Sequence, residues 1–444
     1  MEVTRRLAEF VVGSQVADIP ASVRHEATRS LVNWLGCALG GSRHDAVQRA
    51  LAALRPFAGA AEATVIGRHE RLDLPHAALV NGMSSHVLDF DDTHLRTLLH
   101  PSAPVAPSLL ALAERQPLSG QSFLHAFVLG VEVECRIANA IYAAHNVSSY
   151  ITGTAGVFGA AAAAGRVLGL DERQMTWAFG IAATQAAGLR EMAGTMSKSF
   201  VHGRAAQNGM TAALLARAGF TSSEQAIEAP RGFVRVIAGD SDLQAITAGL
   251  GESFEISLNS YKPYACGVVC HPAIDGCVQL RKQHALDAAM IAAVRLRVHP
   301  LALELTGIRE PRTGLESKWS VYHSAAVALI DGVAGEHQYT DSRVGDAAVG
   351  QLRARVTALA EPGLRDDEAF IGITLRDGRV FELHVEHAIG SVDRPMSDTD
   401  LEGKFFSLAE GVLPQTQARA LIDDCWQVES LGDVGALARS AAAK

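Results

Sequence analysis

The sequence predicts a mainly α protein with a smaller α+β part. A large all-helical domain is built from residues 1–265 and 396–444, and an α/β domain is inserted at 266–395. Three observations carry this reading. Apolar residues recur at helical spacing through nearly all of the first 260 positions, the period switches to two around 294–298 and 371–385, and the helical period returns from Ser397 to the end.

The elements follow in order. Val3, Leu7, Phe10 and Val11 fall at i, i+4, i+7 and i+8; a second helix opens at Pro20, carries Val23, Ala27, Leu31, Trp34 and Leu35 on one side, and stops at Gly40 and Gly41. Further helices are expected at 107–114, 122–133, 156–170, 174–189 and 207–218, where the Ala and Leu content suits packing inside a bundle. Gly153, Gly156 and Gly159 recur every third residue, which lets helix backbones approach closely, and no Lys-Ser/Thr follows to make a phosphate loop. Val294, Leu296 and Val298 then alternate with Arg295 and Arg297. Ile371, Ile373 and Leu375 lead through Asp377-Gly378 into Phe381, Leu383 and Val385, a hairpin signal. Ser397 and Asp398 are capping candidates for a helix carrying Leu401, Phe405 and Leu408.

Composition bounds the function. The chain has 444 residues, 48% hydrophobic and 20% charged, with a net charge of −9. Its 39 basic residues include only six lysines (Lys198, Lys262, Lys282, Lys318, Lys404 and Lys444), so 33 are arginines, and none of the first 197 residues is lysine. Scattered arginines on an acidic chain form no stripe to neutralise a phosphate backbone, which disfavours nucleic acid; a small anion held by a few local cations stays open. Six irregularly spaced cysteines do not make a disulfide framework, and the arginines near Met1 precede no apolar core of a signal peptide, so a reducing cytoplasmic setting is expected. The longest uncharged apolar stretch, 151–165, is too short to span a bilayer and reads as a buried helix.

Four stretches carry polar chemistry. In the first, a helical reading places His86, Asp89 and Thr93 at i, i+3 and i+7 on one face, with His100 following in a loop held by Pro101 and Pro104. The competing readings are a solvated helix end and a metal site; the second is disfavoured because no His-Glu-x-x-His or similar ligand pair is present. The second stretch holds Lys198 and His202. A lysine kept where the chain otherwise uses arginine suggests amine chemistry, because a desolvated ammonium loses its proton near neutrality and a guanidinium does not. The third joins Lys262 to His271 across Cys266, Cys270 and Cys277; the spacing does not suit zinc, and buried thiols are the simpler reading. The fourth joins Lys318 to Ser320, Tyr322 and His323.

In this order the stretches resemble the MmgE/PrpD family, which includes 2-methylcitrate dehydratase, cis-aconitate decarboxylase and iminodisuccinate epimerase. The matching residues are Asn81-Gly82 with His86 and the run Asp89 to Thr93, His100-Pro101, Gly153 to Gly156, Lys198 with His202-Gly203 and Asn208, Lys262-Pro263-Tyr264 with His271-Pro272, and Lys318-Trp319-Ser320. The resemblance covers about residues 1–430. It implies a large helical domain with a smaller α/β lid domain, a homodimer, and a cofactor-free, metal-free site between the domains at positions matching Asp89, Thr93, His100, Lys198, Lys262 and His271. Two departures stand out: Tyr150 where relatives often carry His before the Thr-Gly-Thr segment, and His323, with Tyr322 beside it, where some carry Tyr. Both exchanges change the pKa of a proton donor by several units on model values.

The family's reactions share proton removal or placement on a carbon beside a carboxylate or imine. That step needs a base of near-neutral pKa, cations for the aci-carboxylate and an acid for the leaving group. The residues expected to supply catalysis are Lys198 or His100 as base, Asp89 orienting His100 or a substrate hydroxyl, and Tyr150 as acid; Thr93, His202, Lys262, His271 and His323 are the expected contacts to a small anionic carboxylate. Dehydration of a 2-methylcitrate-like hydroxy acid leads, followed by decarboxylation of cis-aconitate, epimerisation of an imino-diacid, and a non-catalytic organic-acid binder.

Overall fold

The computed structural model describes residues 2–145, 149–239 and 241–443; Met1 and Lys444, named above, lie outside them. Helices dominate up to residue 217. Helix α1 spans Val3–Gly13, α2 Ala21–Gly41, α3 Leu74–His86, α4 Ser102–Arg115, α5 Gly120–His145, α6 Ile151–Val167, α7 Glu172–Ala183 and α8 Ser197–Arg217. Every residue of α6 from Ile151 to Gly165 is buried, because the helix packs against α4, α5, α7 and α8 at once. Its small residues make that possible: a Cβ at Gly159 would lie 2.8 Å from the Gly130 carbonyl of α5.

Five of these helices differ from their expected spans: α4 begins at Ser102 rather than 107, and α5 runs from Gly120 to His145 rather than over 122–133. Helix α8 begins at Ser197 rather than 207, because Lys198 and His202 turn inward from its first turns and so interrupt the apolar periodicity on its buried face. Helix α6 begins at Ile151 and α7 stops at Ala183 instead of 189. The Thr184 hydroxyl and the Gln185 amide donate back to the Ile181 carbonyl at 2.8 and 3.3 Å, and the freed chain then runs past Tyr150, with Leu189 bridging Ser149.

A two-residue pairing, β1 (Thr93–His94) with β2 (Asn259–Ser260), ties the region after α3 to the region after α8. Helix α9 (His271–His284) follows, then β3 (Ile291–Val298), α10 (Val321–Asp331), β4 (Val356–Ala360), β5 (Ala369–Leu375) and β6 (Val380–Val385). The four strands form one sheet in the order β4-β3-β5-β6, with β3 and β4 parallel and the other neighbours antiparallel. The β5–β6 hairpin turns at Asp377-Gly378, where Gly378 takes φ +87°. Ala369, Ile371, Ile373 and Leu375 alternate inward on β5 against α9, whose Gly276 admits Ile371.

The chain ends in α11 (Asp398–Ala409), α12 (Gln415–Trp426) and α13 (Gly435–Ser440). Ser397 caps α11 through a reciprocal box with Asp400. Helices α11 and α12 lie on α2, and α13 lies on α4. All six cysteines are free and buried, and among the described residues no helix is long and apolar enough to cross a membrane.

Candidate active site

Helices α3 and α8 cross at two glycines. A Cβ on Gly203 would sit 2.1 Å from the Leu79 carbonyl, and one on Gly82 would sit 2.8 Å from Gly203 Cα, so only glycine permits this contact. The crossing stacks the neighbouring imidazoles of His86 and His202 with centroids 3.3 Å apart and planes 14° from parallel, and His100 meets the His86 ring edge-on at 4.6 Å.

The expected helical face of His86, Asp89 and Thr93 does not exist. Helix α3 ends at His86, Asp89 adopts the left-handed conformation with φ +52°, and Thr93 belongs to β1. The reversal turns the Asp89 carboxylate toward two lysines from other parts of the chain. Lys262 Nζ donates to the Asp89 carbonyl at 3.0 Å and to Oδ1 at 2.9 Å, and Lys198 Nζ lies 2.9 Å from the same Oδ1. The β1–β2 pairing of Thr93 with Ser260 sets this register, since Lys262 follows Ser260 by two residues.

The electrostatics split the two amines. Burial lowers the Lys198 ammonium to about 8, against the pull of Asp89 and with the help of Lys262. Burial also opposes charge on Lys262, but Asp89 and Asp91 outweigh it and hold that ammonium above the ordinary lysine range. Burial works against the Asp89 charge too; Lys198 and Lys262 overcome it and keep the carboxyl well below its usual value.

All three imidazoles are neutral for one main reason. Burial pushes His86, His100 and His202 well below the ordinary histidine range. His100 Nδ1 lies 2.9 Å from the Asp92 carbonyl, an acceptor only, so that nitrogen carries the proton and Nε2 keeps a lone pair. By the same logic His202 Nδ1 donates to the Lys198 carbonyl at 3.0 Å, while His86 Nδ1 faces the Asp91 carboxylate at 2.9 Å. These side chains have the donor types of a metal site, with one atom from each of His86, His100 and His202 within 4.8 Å of the others. Their geometry fits poorly: an ion in the plane of the His86 ring stands well outside the plane of the His202 ring stacked on it.

A cleft of about 520 Å³ opens onto this cluster, lined by Asp89, Thr93, His100, Tyr150, Lys198 and Lys262 among the residues expected from sequence. Tyr150 presents a buried hydroxyl with no hydrogen-bond partner among the described residues, and burial raises its pKa. Lys198 Nζ stands 5.6 Å from the Tyr150 ring and 4.5 Å from the Trp319 ring. Three of the expected residues lie elsewhere. His202 is the floor behind His86; His271 packs edge-on to Tyr264 at 5.3 Å and lines a neighbouring cavity of about 370 Å³; His323 Nε2 reaches the Gln338 carbonyl at 2.8 Å. Asp89 makes no hydrogen bond to His100, and the carboxylate beside that ring is Asp91 at 3.5 Å.

Sequence reasoning missed Arg190, Trp319 and Lys404. Arg190 lines the cleft with no ion pair among the described residues, and nothing in its segment separates it from 32 other arginines. Trp319 enters the sequence reading only within the Lys318-Trp319-Ser320 match, with no role attached to it. Lys404 looks like one polar position on an amphipathic helix, yet its ammonium is buried under the Asp89 loop, donating to Asn33 Oδ1 at 2.8 Å, the Phe90 carbonyl at 2.6 Å and the Lys262 carbonyl at 2.8 Å.

Comparison with known proteins agrees with this layout. The MmgE/PrpD N-terminal domain model matches residues 5–246 and the MmgE/PrpD C-terminal domain model matches residues 264–428. The chain belongs to the MmgE/PrpD family. Similar proteins include the cis-aconitate decarboxylase of Mus musculus, 27% identical over 98% of this chain and 93% of its own length. A cis-aconitate decarboxylase-like protein of Aspergillus oryzae is 27% identical over 98% of this chain and 96% of its own length. The 2-methylcitrate dehydratase of Cupriavidus necator is 26% identical over 84% and 83%. Lys262 lies between the two matched spans, and the cleft draws on both of them, with Asp89, His100 and Lys198 from the first and Val268, Val269 and Trp319 from the second.

Proposed function

We propose that this protein is a cofactor-independent lyase that removes a proton beside a carboxylate of a small di- or tricarboxylic acid. The observation that carries the reading is the pair of lysines on one buried carboxylate, one held charged and the other lowered to about 8, at the floor of a cleft. Lys262, with one N–H left after its two bonds to Asp89, and Arg190 bind the substrate carboxylate and stabilise the aci-carboxylate that forms as the α-proton leaves. Lys198 takes that proton as its free amine, and Asp89 holds the lysine in place. The His100 Nε2 lone pair is the second acceptor within the cleft, with Thr93 at 3.4 Å from its other nitrogen. Tyr150 keeps its proton throughout the physiological range and donates it to the departing hydroxyl. His202 positions His86 and the backbone at Lys198 rather than binding substrate, and His271 and His323 support the walls.

Dehydration of a 2-methylcitrate-like hydroxy acid is the lead because Tyr150 supplies an unengaged acid. Decarboxylation of cis-aconitate is the second reading, favoured by relatives of that name matching 98% of the chain. We further propose that residues 266–395 act as a lid, since Gly267, Val268, Val269, Leu305 and Trp319 close one side of the cleft. The protein is proposed to work in the cytoplasm as a homodimer, a state supported by the exposed apolar side chains of Leu189, Met196 and Phe200. Incubating purified protein with a hydroxy-tricarboxylate panel and with cis-aconitate, in deuterated water, tests the function. Alkene absorbance with loss of water marks dehydration and carbon dioxide release marks decarboxylation. Thermal stabilisation by these acids without turnover overturns the enzyme reading in favour of a binding protein.

A further inference from the structure

Three consecutive backbone carbonyls around Asp89 each accept a hydrogen bond from a different buried lysine. Lys318 Nζ donates to the Leu88 carbonyl at 2.6 Å, Lys262 Nζ to that of Asp89 at 3.0 Å, and Lys404 Nζ to that of Phe90 at 2.6 Å. With Lys198 on the carboxylate itself, four of the five lysines among the described residues converge on this loop; the fifth, Lys282, is exposed. An ammonium has three donors, and counting them separates the four. Lys318 is saturated by the carbonyls of Leu88 and Ala265 and by Glu336 at 2.7 Å, and Lys404 is saturated by Asn33 and the carbonyls of Phe90 and Lys262. Lys262 has spent two donors and Lys198 has no bond of hydrogen-bond geometry, so these two alone have donors left for a ligand. Arginine does not replace the saturated pair, because a flat fork of five donors does not match three acceptors converging on one point.

We infer that Lys404 and Lys318 are positioning residues that clamp the carbonyls of Phe90 and Leu88 on either side of Asp89, hold that residue in its left-handed conformation, and so fix the carboxylate against Lys198. A non-glycine residue at φ +52° is held at a cost by its surroundings, and the two flanking ammonium groups make charge-assisted hydrogen bonds to the carbonyls on either side of it. Lys404 also binds the carbonyl of Lys262, and it thereby joins the two segments that meet at the carboxylate.

The inference rests on the reading of Lys198 as the group whose titration turnover reports. Lys198 is faced by Asp89, Asp91, Lys262, Tyr150, His86 and His202, and Lys404 by Cys37, Asp91, Asp92 and Lys262. Lys404→Met, folded and corrected for active-site content, should lose about tenfold or more in kcat with KM changed less than about threefold. The pH limb belonging to Lys198 should also move to lower pH by about half a unit or more, because the carboxylate that raises that amine is no longer held beside it. Loss of stability alone lowers the active fraction and leaves the limb in place. Asn33→Ala keeps the Lys404 ammonium while removing one of its acceptors, and should shift both readouts in the same direction by a smaller factor; it serves where Lys404→Met does not fold. A folded variant of either kind with kcat and limb unmoved overturns the clamp. If Lys198→Met itself retains turnover, the reading of the base fails, an outcome distinct from failure of the clamp.

Discussion

Lys198 Nζ and Asp89 Oδ1 lie 2.9 Å apart, and the pair is buried. A pair this deep is not a source of stability in itself, since desolvating both charges offsets their attraction. Its consequence is chemical: an amine lowered to about 8 by burial exchanges a proton near neutrality. As a base Lys198 must be neutral, so kcat/KM should rise as pH rises through about 8. Lys198→Met should lower kcat by about 10²-fold or more, and Lys198→Arg should not restore it because a guanidinium stays charged. A pH–rate profile on the three proteins checks this, and near wild-type turnover in Lys198→Met would sink the base assignment.

Tyr150→Phe separates chemistry from packing. The hydroxyl is buried and has no partner among the described residues, so removing it should leave the melting temperature unchanged or raise it slightly. If the hydroxyl protonates the leaving group, hydroxy-acid turnover should drop by about 10²-fold with decarboxylation of cis-aconitate much less affected. Equal losses on both substrates would reject the acid role.

Gly203→Ala tests the crossing beneath the histidines. The new Cβ meets the Leu79 carbonyl at 2.1 Å, which is backbone and cannot swing away, so a stability loss of about 2 kcal/mol or more is expected together with reduced turnover. Gly403→Ala, on the exposed face of α11 with nothing within 4 Å, is the control and should stabilise by about 0.5–1 kcal/mol. Thermal unfolding of both variants reads the difference.

Glu134 of α5 is fully buried against Gly156 and Gly159, and neither carboxylate oxygen is hydrogen-bonded among the described residues. Burial, reinforced by Asp92, holds its pKa well above the ordinary glutamate value. The folded state therefore binds this proton more tightly than the unfolded state does. The stability it confers is complete below the unfolded value and is lost as pH rises toward the folded one. Glu134→Gln, a mimic of the protonated form, should match the wild type near pH 4.5 and exceed it by about 1 kcal/mol or more at pH 8. Melting temperatures across that range that stay parallel for the two proteins would refute it.

The helical series, the hairpin at Asp377-Gly378 and the cap at Ser397 were legible because each is set by neighbours within a turn or two. Asp89, Thr93, His100, Lys198 and Lys262 were legible through resemblance, and Lys198 also as a lysine in an arginine-rich chain. His271 and His323 did not join them, because a residue's distance along the chain from a motif says nothing of which wall of a cleft it faces. Arg190 and Lys404 carried no local mark at all.

The sequence by itself determined the mainly α architecture with its smaller α+β part, the family, and the scarcity of lysine that first pointed to amine chemistry. Only the tertiary structure decided which acceptors surround each lysine. Local periodicity records which face of an element is apolar, whereas the pKa of a buried amine and the count of its free donors depend on acceptors up to 371 residues away, as between Lys404 and Asn33. The same four side chains read alike in the chain; they separate into two that clamp the Asp89 loop and two that retain donors for a substrate once the acceptors around them are in place.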